Sequence, residues 1–468
     1  MNKKALSLAV VGSACALLLT SCAVVPPTSG DNPNDPWETF NRQTHAFNMA
    51  MDEYILHPVA VSYAENVPQP VQDGVSNFFG NLGEPGNMVN NFLQGKFKDG
   101  FVSIGRFLVN TTVGIGGIFD VASHMNMERA PEDFGQTLGK WGVPSGPYVV
   151  WPFFGPNSVR DTADIPAAWA MNPLTYVYLN NEDLWPMGVT LGALDVVDTR
   201  ASLLATDSML QTAIDPYIAV REAYLQYREN LVWDGNPPLE LLVDEFEDDF
   251  EDDYQESDTM LRRAFLGIAA SIALATALPG AALAAQETPE AFVERVANDV
   301  LQEIRNNPQL QKADKKAVEA LVDRKMMPAV DFLRMTRMAV GPKWREATPA
   351  QREELQTLFR ETLIQVYSGA LTMAKDMQVK ILPRGQNDGT EALIRTAMYS
   401  TVDKNQPETL INYRLRNIKD KGWRVIDINV EGVWLVSNYR NQYGSIAAQE
   451  GIDGLIRQMK SRLTDNAK

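Results

Sequence analysis

MLRRAFLGIAASIALATALPGAALAA occupies residues 260–285, and its reading decides how the rest of the chain divides. Met260 has the place of a start residue, and Arg262 and Arg263 form a positive n-region. Phe265 to Leu278 is an uncharged apolar run. Pro279 and Gly280 break it, and Ala282-Leu283-Ala284 puts small residues at the two positions a signal peptidase reads. A buried core helix or a membrane anchor is the alternative. The stretch is Ala-rich, and its continuous apolar part falls short of the ~17–25 residues of a spanning helix. An export signal inside a chain marks a joint between two separately evolved units, so the fold class expected is mixed.

The charge divides at the same place. Residues 1–259 hold 12 Lys+Arg against 35 Asp+Glu, a balance of −23; residues 260–468 hold 30 against 24, or +6. The negative net charge of −17 argues against a nucleic-acid partner. The chain also begins with an export signal. Lys3 and Lys4 precede an apolar run, and Leu19-Thr20-Ser21-Cys22 matches a bacterial lipobox. Cys22 is the expected lipid attachment site, because its thiolate alone can take a diacylglyceryl thioether. Several acyl chains anchor a protein where one does not, and Ala23 rather than Asp at the next position favours outer-membrane sorting. The resulting division is 1–21 lipoprotein signal peptide, 22–236 first domain, 237–259 acidic linker, 260–285 internal signal-like segment and 286–468 second domain. The linker region is distinctive: residues 240–258 contain 11 acidic residues and no basic one. Such a run self-repels and reads as a solvated spacer, with docking on the basic second half as the alternative.

In the first domain, Pro, Gly and Asn punctuate helical segments expected at 37–52, 68–80, 87–109, 159–170 and 216–231. Phe101–Ala122, FVSIGRFLVNTTVGIGGIFDVA, is apolar except for Arg106 and Asp120. Its glycines interrupt it too often for a simple spanning helix. A buried helical hairpin in a water-soluble core and immersion in a membrane both fit its composition. After residue 285 the period is helical, with Phe292, Val296, Val300 and Ile304 on one stripe. Thr348 to Gln351 is a capping box with proline at the first helical position, followed by a stripe of Leu355, Phe359, Leu363, Val366 and Ala370. The period then becomes two, at Val379 and Ile381, at Ile411, Tyr413 and Leu415, and at Ile426, Ile428 and Val430. Helices followed by strands predict an α+β domain with an antiparallel sheet.

The chemistry of catalysis is missing from the pattern. His45, His57 and His124 stand at no metal-ligand spacing, and the second domain has neither His nor Cys. The stretch from Gly135 to Lys140 is one residue short of a phosphate loop, and Gly114-Ile115-Gly116 lacks the third glycine of a dinucleotide loop. No enzyme, metal or cofactor is expected, which leaves binding and transport.

The motifs DPWETFNR (35–42), HPVAVSYAENVPQPV (57–71), NFFGNLGEPGNMVNNFLQG (77–95), GRFLVNTTVGIGGIFDVAS (105–123), FGQTLGKWGVPSGPYVVWPFFGPNSVRD (134–161) and DPYIAVREAYLQYR (215–228) resemble the MlaA/VacJ family. The resemblance implies an all-α, ring-like domain embedded in the inner leaflet of the outer membrane beside a porin trimer. A central channel would pass mislocalised outer-leaflet phospholipid, with Phe107, Asn110, Gly114, Gly116, Gly117, Phe119 and Asp120 as channel candidates. DFLRMTRMAVGPKWREATPAQREELQTLFRETLIQVYSGAL (331–371) and GWRVIDINVEGVWLVSNYRNQY (422–443) resemble MlaC, with Trp434 and Tyr443 departing from a usual Ser and Phe. This implies a periplasmic fold related to nuclear-transport-factor-2 that encloses a glycerophospholipid, and an inner-membrane Mla ABC-transporter complex as partner. Pocket candidates are Phe332, Met335, Tyr367, Val379, Tyr413, Val433, Val436 and Tyr439.

Magnitude favours an enclosed pocket. A phospholipid carries on the order of 28 tail methylenes at ~0.8 kcal/mol each, so exposing both tails to water costs about 20 kcal/mol. Eight methionines in the second domain suit either an adaptable pocket or ordinary packing. Arg414, Arg416, Arg424 and Arg440 have the chemistry to meet a phosphate, or lie solvated at a sheet edge. The function expected is intermembrane phospholipid transport that maintains outer-membrane lipid asymmetry. The alternative is a non-transporting, envelope-tethering lipoprotein whose second domain binds a partner.

Overall fold

The computed structural model describes residues 32–238, 287–402 and 408–465. Cys22, Ala282, Ala284 and the acidic run 240–258 lie outside them. The chain divides into two compact units, one ending at residue 211 with 216–233 added, the other made of 234–468 with 212–215. Each is taken by itself.

The first unit is helical apart from one hairpin. Its elements are α1 (Glu38–Met51), α2 (His57–Asn66), α3 (Gln69–Leu93), α4 (Phe97–Thr112) and α5 (Phe134–Lys140), then the antiparallel pair β1 (Tyr148–Trp151) and β2 (Gly155–Ser158), then α6 (Asp164–Met171), α7 (Pro173–Asn180), α8 (Trp185–Ser202) and α9 (Pro216–Val232). The expectation of an all-α domain is corrected by that hairpin. The break expected between residues 80 and 87 is absent as well: α3 continues through Pro85, and the chain turns at Gly95, with φ at +78°. An internal proline removes a helical hydrogen bond. Side-chain bonds on the same helix offset that loss, from Asn81 Nδ2 to Thr111 Oγ1 (2.9 Å), from Arg106 to Glu84 (2.8 Å) and from Asn91 Nδ2 to the Ala130 carbonyl (3.0 Å).

The polarity of the α3–α4 pair is inverted relative to a water-soluble hairpin. Its buried positions are Asn81, Glu84, Asn87, Asn90 and Asn91 on α3, and Gly100, Ser103, Arg106 and Asn110 at helical spacing on α4. The apolar side chains point outward: Phe101 is 66% and Leu108 56% exposed, and Val113, Ile115, Ile118 and Phe119 are exposed beside them. In α8 no residue is buried, while Trp185, Met187, Val189 and Val196 are exposed. The water-soluble-core reading of residues 101–122 therefore fails. Among the described residues no helix is long and apolar enough to cross a membrane.

A buried clasp joins the ends of this unit. Asp35, fully buried, accepts from the Tyr217 hydroxyl, from Arg221 Nη1 (2.8 Å) and from Asn41 Nδ2 (2.8 Å). The Arg42 guanidinium lies 4.4 Å from the Tyr217 ring centre.

The second unit contains α10 (Pro289–Asn306), α11 (Lys315–Leu321), α12 (Phe332–Val340) and α13 (Pro349–Met373). The strands follow as β3 (Met377–Ile381), β4 (Gln386–Asn387), β5 (Glu391–Ser400), β6 (Thr409–Ile418), β7 (Gly422–Val430) and β8 (Val433–Trp434), and α14 (Leu435–Asp465) closes the unit. The sheet is antiparallel in the order β3-β5-β6-β7-β8, with β4 also on β5. Its helix signals act where the sequence puts them. Thr348 and Gln351 form the capping box of α13, and Thr288 caps α10 ahead of Pro289. Leu355, Phe359 and Val366 are buried along α13, as are Phe292 and Ile304 along α10. The long α14 is bent at Gly451, where φ is +72°.

Candidate functional site

In the helical unit, the centre of the polar interior is Arg106, only 3% exposed. Its guanidinium donates to Glu84 (2.8 Å), Asp120 (3.0 Å), Ser123 Oγ (3.0 Å) and the Met127 carbonyl (2.6 Å). Asn110 donates to Asp120 (2.9 Å) and accepts from the Ala122 amide. Desolvation works against the Asp120 charge, but bonds from Ser123, Asn110 and Arg106 outweigh it and hold its carboxyl at about 2. The glycine loop folds onto this network. A Cβ at Gly114 would sit 2.2 Å from the Phe119 carbonyl oxygen, and one at Gly117, where φ is +97°, 2.6 Å from the Asn81 side chain.

A cavity of about 610 Å³ opens beside α3, where Gly80, Gly83 and Gly86 recur every third residue. Phe79, Leu82 and Met171 supply apolar wall; Glu132, Asp133, Asp164, Asp195 and Asp198 supply carboxylates, and Arg129 a guanidinium. Two of the carboxylates are neutralised from outside the cavity, Glu132 by Lys96 and Asp133 by Arg228. Asp198 accepts from the Tyr63 (2.8 Å) and Ser76 (2.6 Å) hydroxyls, and Asp164 from the Phe134 amide (3.0 Å). No described residue donates a hydrogen bond to Asp195. Desolvation raises the carboxyls of half-buried Asp164 and of Asp195, an exposed residue; the Asp198 charge adds to the effect at Asp195, and the Arg228 charge opposes it at Asp164.

None of the seven channel candidates lines this cavity. Asn110 and Asp120 belong to the Arg106 network, Gly114 and Gly117 allow the tight loop, Gly116 takes a φ of +72°, Phe119 is exposed and Phe107 half-buried. The cavity carboxylates carried no motif in the sequence, where they are scattered from residue 132 to residue 198 among unrelated segments. The glycine triplet at 80, 83 and 86 was the available signal. The stretch from Gly135 to Lys140 forms helix α5, capped by Asp133 and Gln136.

In the second unit, the eight pocket candidates fall among different apolar clusters. Met335, Val436 and Tyr439 are buried in one cluster with Phe332 and Tyr367 at its margin. Phe332 stacks on Phe359 with centroids 5.7 Å apart, and Tyr439 meets the Phe359 edge at 5.2 Å. Tyr413 belongs to a second cluster with Ile394 and Trp423, and Val379 to a third with Ile304 and Ile364. Val433 is half-buried in β8. Tyr367 and Tyr413 are half-buried. Desolvation pushes each phenol up to about 12, with the Asp427 charge adding at Tyr367, yet both side chains keep accessible surface.

Arg414 is corrected from both sequence readings. It is 2% exposed and ion-paired to Glu391 at 2.8 Å, with Arg416 3.4 Å from the same carboxylate. Arg424 donates to the Trp423 carbonyl at 2.6 Å. Trp434 and Tyr443, the two departures from the expected motif, are both buried, and Tyr443 packs against Phe359 and Tyr439. The histidines serve local contacts: His45 packs on Tyr217, His57 lies 3.3 Å from Asp207, and His124 Nδ1 is 3.0 Å from the Asp120 carbonyl. Among the described residues no group of three or more metal-ligating side chains occurs.

Comparison with known proteins divides the chain at the same joint. The MlaA lipoprotein family matches residues 33–231, and the MlaC protein family residues 294–461. The intermembrane phospholipid transport system lipoprotein MlaA of Escherichia coli is 41% identical over 240 residues, covering 49% of this chain and 93% of that protein. A solved structure described under maintenance of bacterial outer membrane lipid asymmetry is 40% identical, covers 42% of this chain and 98% of its own, and has a TM-score of 0.38. The phospholipid-binding protein from Ralstonia solanacearum, solved in complex with a phospholipid, is 33% identical, covers 38% of this chain and 98% of its own, and has a TM-score of 0.36.

Proposed function

The chain belongs to the MlaA lipoprotein family and carries an MlaC unit behind it, a fusion that serves Mla-pathway phospholipid transport, and on that premise we propose how the two units divide the task. The helical unit lies in the periplasm-facing leaflet of the outer membrane, held there by acylated Cys22, as a ring around a passage for phospholipid. The second unit receives the lipid in the periplasm and encloses its tails between sheet and helices, with Tyr367 and Tyr413 on the wall.

The observation that carries this reading is the inverted polarity of α3 and α4. Burying Arg106, Glu84 and five asparagines while exposing Phe101, Leu108 and Phe119 raises the cost of the unit in water. In a lipid leaflet the same arrangement places the apolar side chains in hydrocarbon, while the interior polar groups bond to one another. The cavity beside α3 then supplies a polar route past the acyl layer. A porin trimer around the ring and an inner-membrane ABC transporter receiving lipid from the carrier complete the pathway. The internal signal-like segment is a processing site, cut near Ala284 to free the carrier. Both families are lipid-transport or lipid-binding proteins, not enzymes.

The full chain, reconstituted in donor vesicles with a labelled phospholipid, is expected to move label to acceptor vesicles well above the protein-free rate. Transfer no faster than the protein-free background overturns the reading and leaves the tethering lipoprotein as the better account.

A further inference from the structure

The cavity beside α3 has a charge arrangement that a neutral passage would not need. Arg129 is seated over Gly80: a Cβ at that position would lie 2.9 Å from its Nη1, so the absent side chain is what admits the guanidinium. It donates to the Gly80 carbonyl at 3.2 Å, lies 3.6 Å from the Glu84 carboxylate through Nε, and keeps 44% of its side chain exposed. Across the same cavity, Asp195 receives no hydrogen bond from any described residue, and Asp164 receives one from a backbone amide. Neither is in an ion pair, unlike Glu132 and Asp133, although the more distant Arg228 charge acts on Asp164. Asp198 is likewise held by hydroxyls alone, so one guanidinium and three carboxylates outside any ion pair share the cavity, an arrangement complementary to a zwitterion: a phosphodiester for the arginine, an ammonium for the carboxylates.

We infer that this cavity selects glycerophospholipids with an ammonium-bearing headgroup, such as phosphatidylethanolamine, over anionic ones, with Asp195 and Asp164 receiving the ammonium and Arg129 the phosphate. The inference rests on the passage proposed above and adds its specificity. An anionic headgroup would satisfy Arg129 but leave both carboxylates facing negative charge. The raised carboxyls of Asp164 and Asp195 are consistent with a site that gains from an incoming cation. The volume of about 610 Å³ admits a headgroup but not two extended tails, which would trail along the apolar exterior.

The test uses the full chain in donor vesicles of equal phosphatidylethanolamine and phosphatidylglycerol, with headgroups counted in the acceptor vesicles by mass spectrometry. The wild type is expected to enrich the ethanolamine lipid about fivefold, the worth of one partly solvated ion pair. The Asp164→Asn/Asp195→Asn double variant is expected to bring the ratio close to that of the donor, and raised salt to shrink the wild-type enrichment. Both substitutions are isosteric, and the carrier unit is identical in the two proteins, so its own preference does not produce the difference. Melting curves check that the double variant is folded. An unenriched wild type, or an enrichment that survives the double substitution, overturns the inference while transfer itself still stands. Absence of any transfer removes the passage reading as well.

Discussion

Replacing Arg106 by methionine removes the cation at the centre of the polar interior of the helical unit. The guanidinium is the ion-pair partner of Glu84, which is itself 1% exposed, and of Asp120. Methionine fits the space of the aliphatic stem but leaves the Glu84 carboxylate buried, with Arg129 at 3.6 Å as its remaining nearby cation. Breaking a buried pair from one side costs about 3–5 kcal/mol, most of it from the stranded charge. The Glu84→Gln/Arg106→Met double variant removes that charge, so it should recover about 2 kcal/mol of the loss. Denaturation of the full chain in detergent, followed by circular dichroism, measures both. The transition of the sheet unit serves as an internal control and should not move. A single variant less than about 1 kcal/mol below wild type, or a double variant less stable than the single, would refute the view of Arg106 as the interior's counter-charge.

Other outcomes follow from the same structure. Val433→Trp in β8 should reduce phospholipid recovered with the carrier unit without lowering its melting temperature; undiminished lipid removes that position from the pocket wall. Cys22→Ser should leave the chain unacylated and in the inner-membrane fraction, and normal outer-membrane fractionation of that variant would contradict the anchor. An antibody against the carrier unit should detect a species of less than half the full-length mass in mature envelopes. A full-length band alone would mean that the two units stay joined.

The sheet unit was more legible than the helical one, for a physical reason. β3, β6 and β7 each present alternating side chains, so Val379, Tyr413 and Ile428 betray them by period two. β5, between β3 and β6, escaped because Ala392, Leu393 and Ile394 are all buried, which leaves a continuous apolar run without alternation. In the helical unit, composition alone left a buried hairpin and membrane immersion both open. Phe119 and the glycine loop were channel candidates through the family resemblance alone, and the buried interior is made by Asn81, Glu84, Asn90 and Arg106, whose partners lie up to 47 residues away. No local pattern encodes such pairings. Pro85 misled for a related reason, since tertiary bonds held α3 together across a residue that ends most helices. The joint between the units was plain because a signal-like segment is read from a contiguous stretch.

The clasp at Asp35 has a consequence for the order in which the helical unit assembles. Its partners Tyr217 and Arg221 are 182 and 186 residues further along the chain. Closing a loop of that length from an unstructured chain costs about 4–5 kcal/mol in entropy, more than one buried carboxylate and its donors return. The contact becomes favourable only after the intervening helices have drawn the two ends together. It is therefore a late event, and its loss should be felt on the way out of the folded state. Asp35→Asn is expected to hasten unfolding while leaving the refolding rate nearly unchanged; slowed refolding would instead put the clasp in the nucleus. The residues nearest the proposed lipid anchor are thus the last to be locked, after α9 has been delivered across the inner membrane.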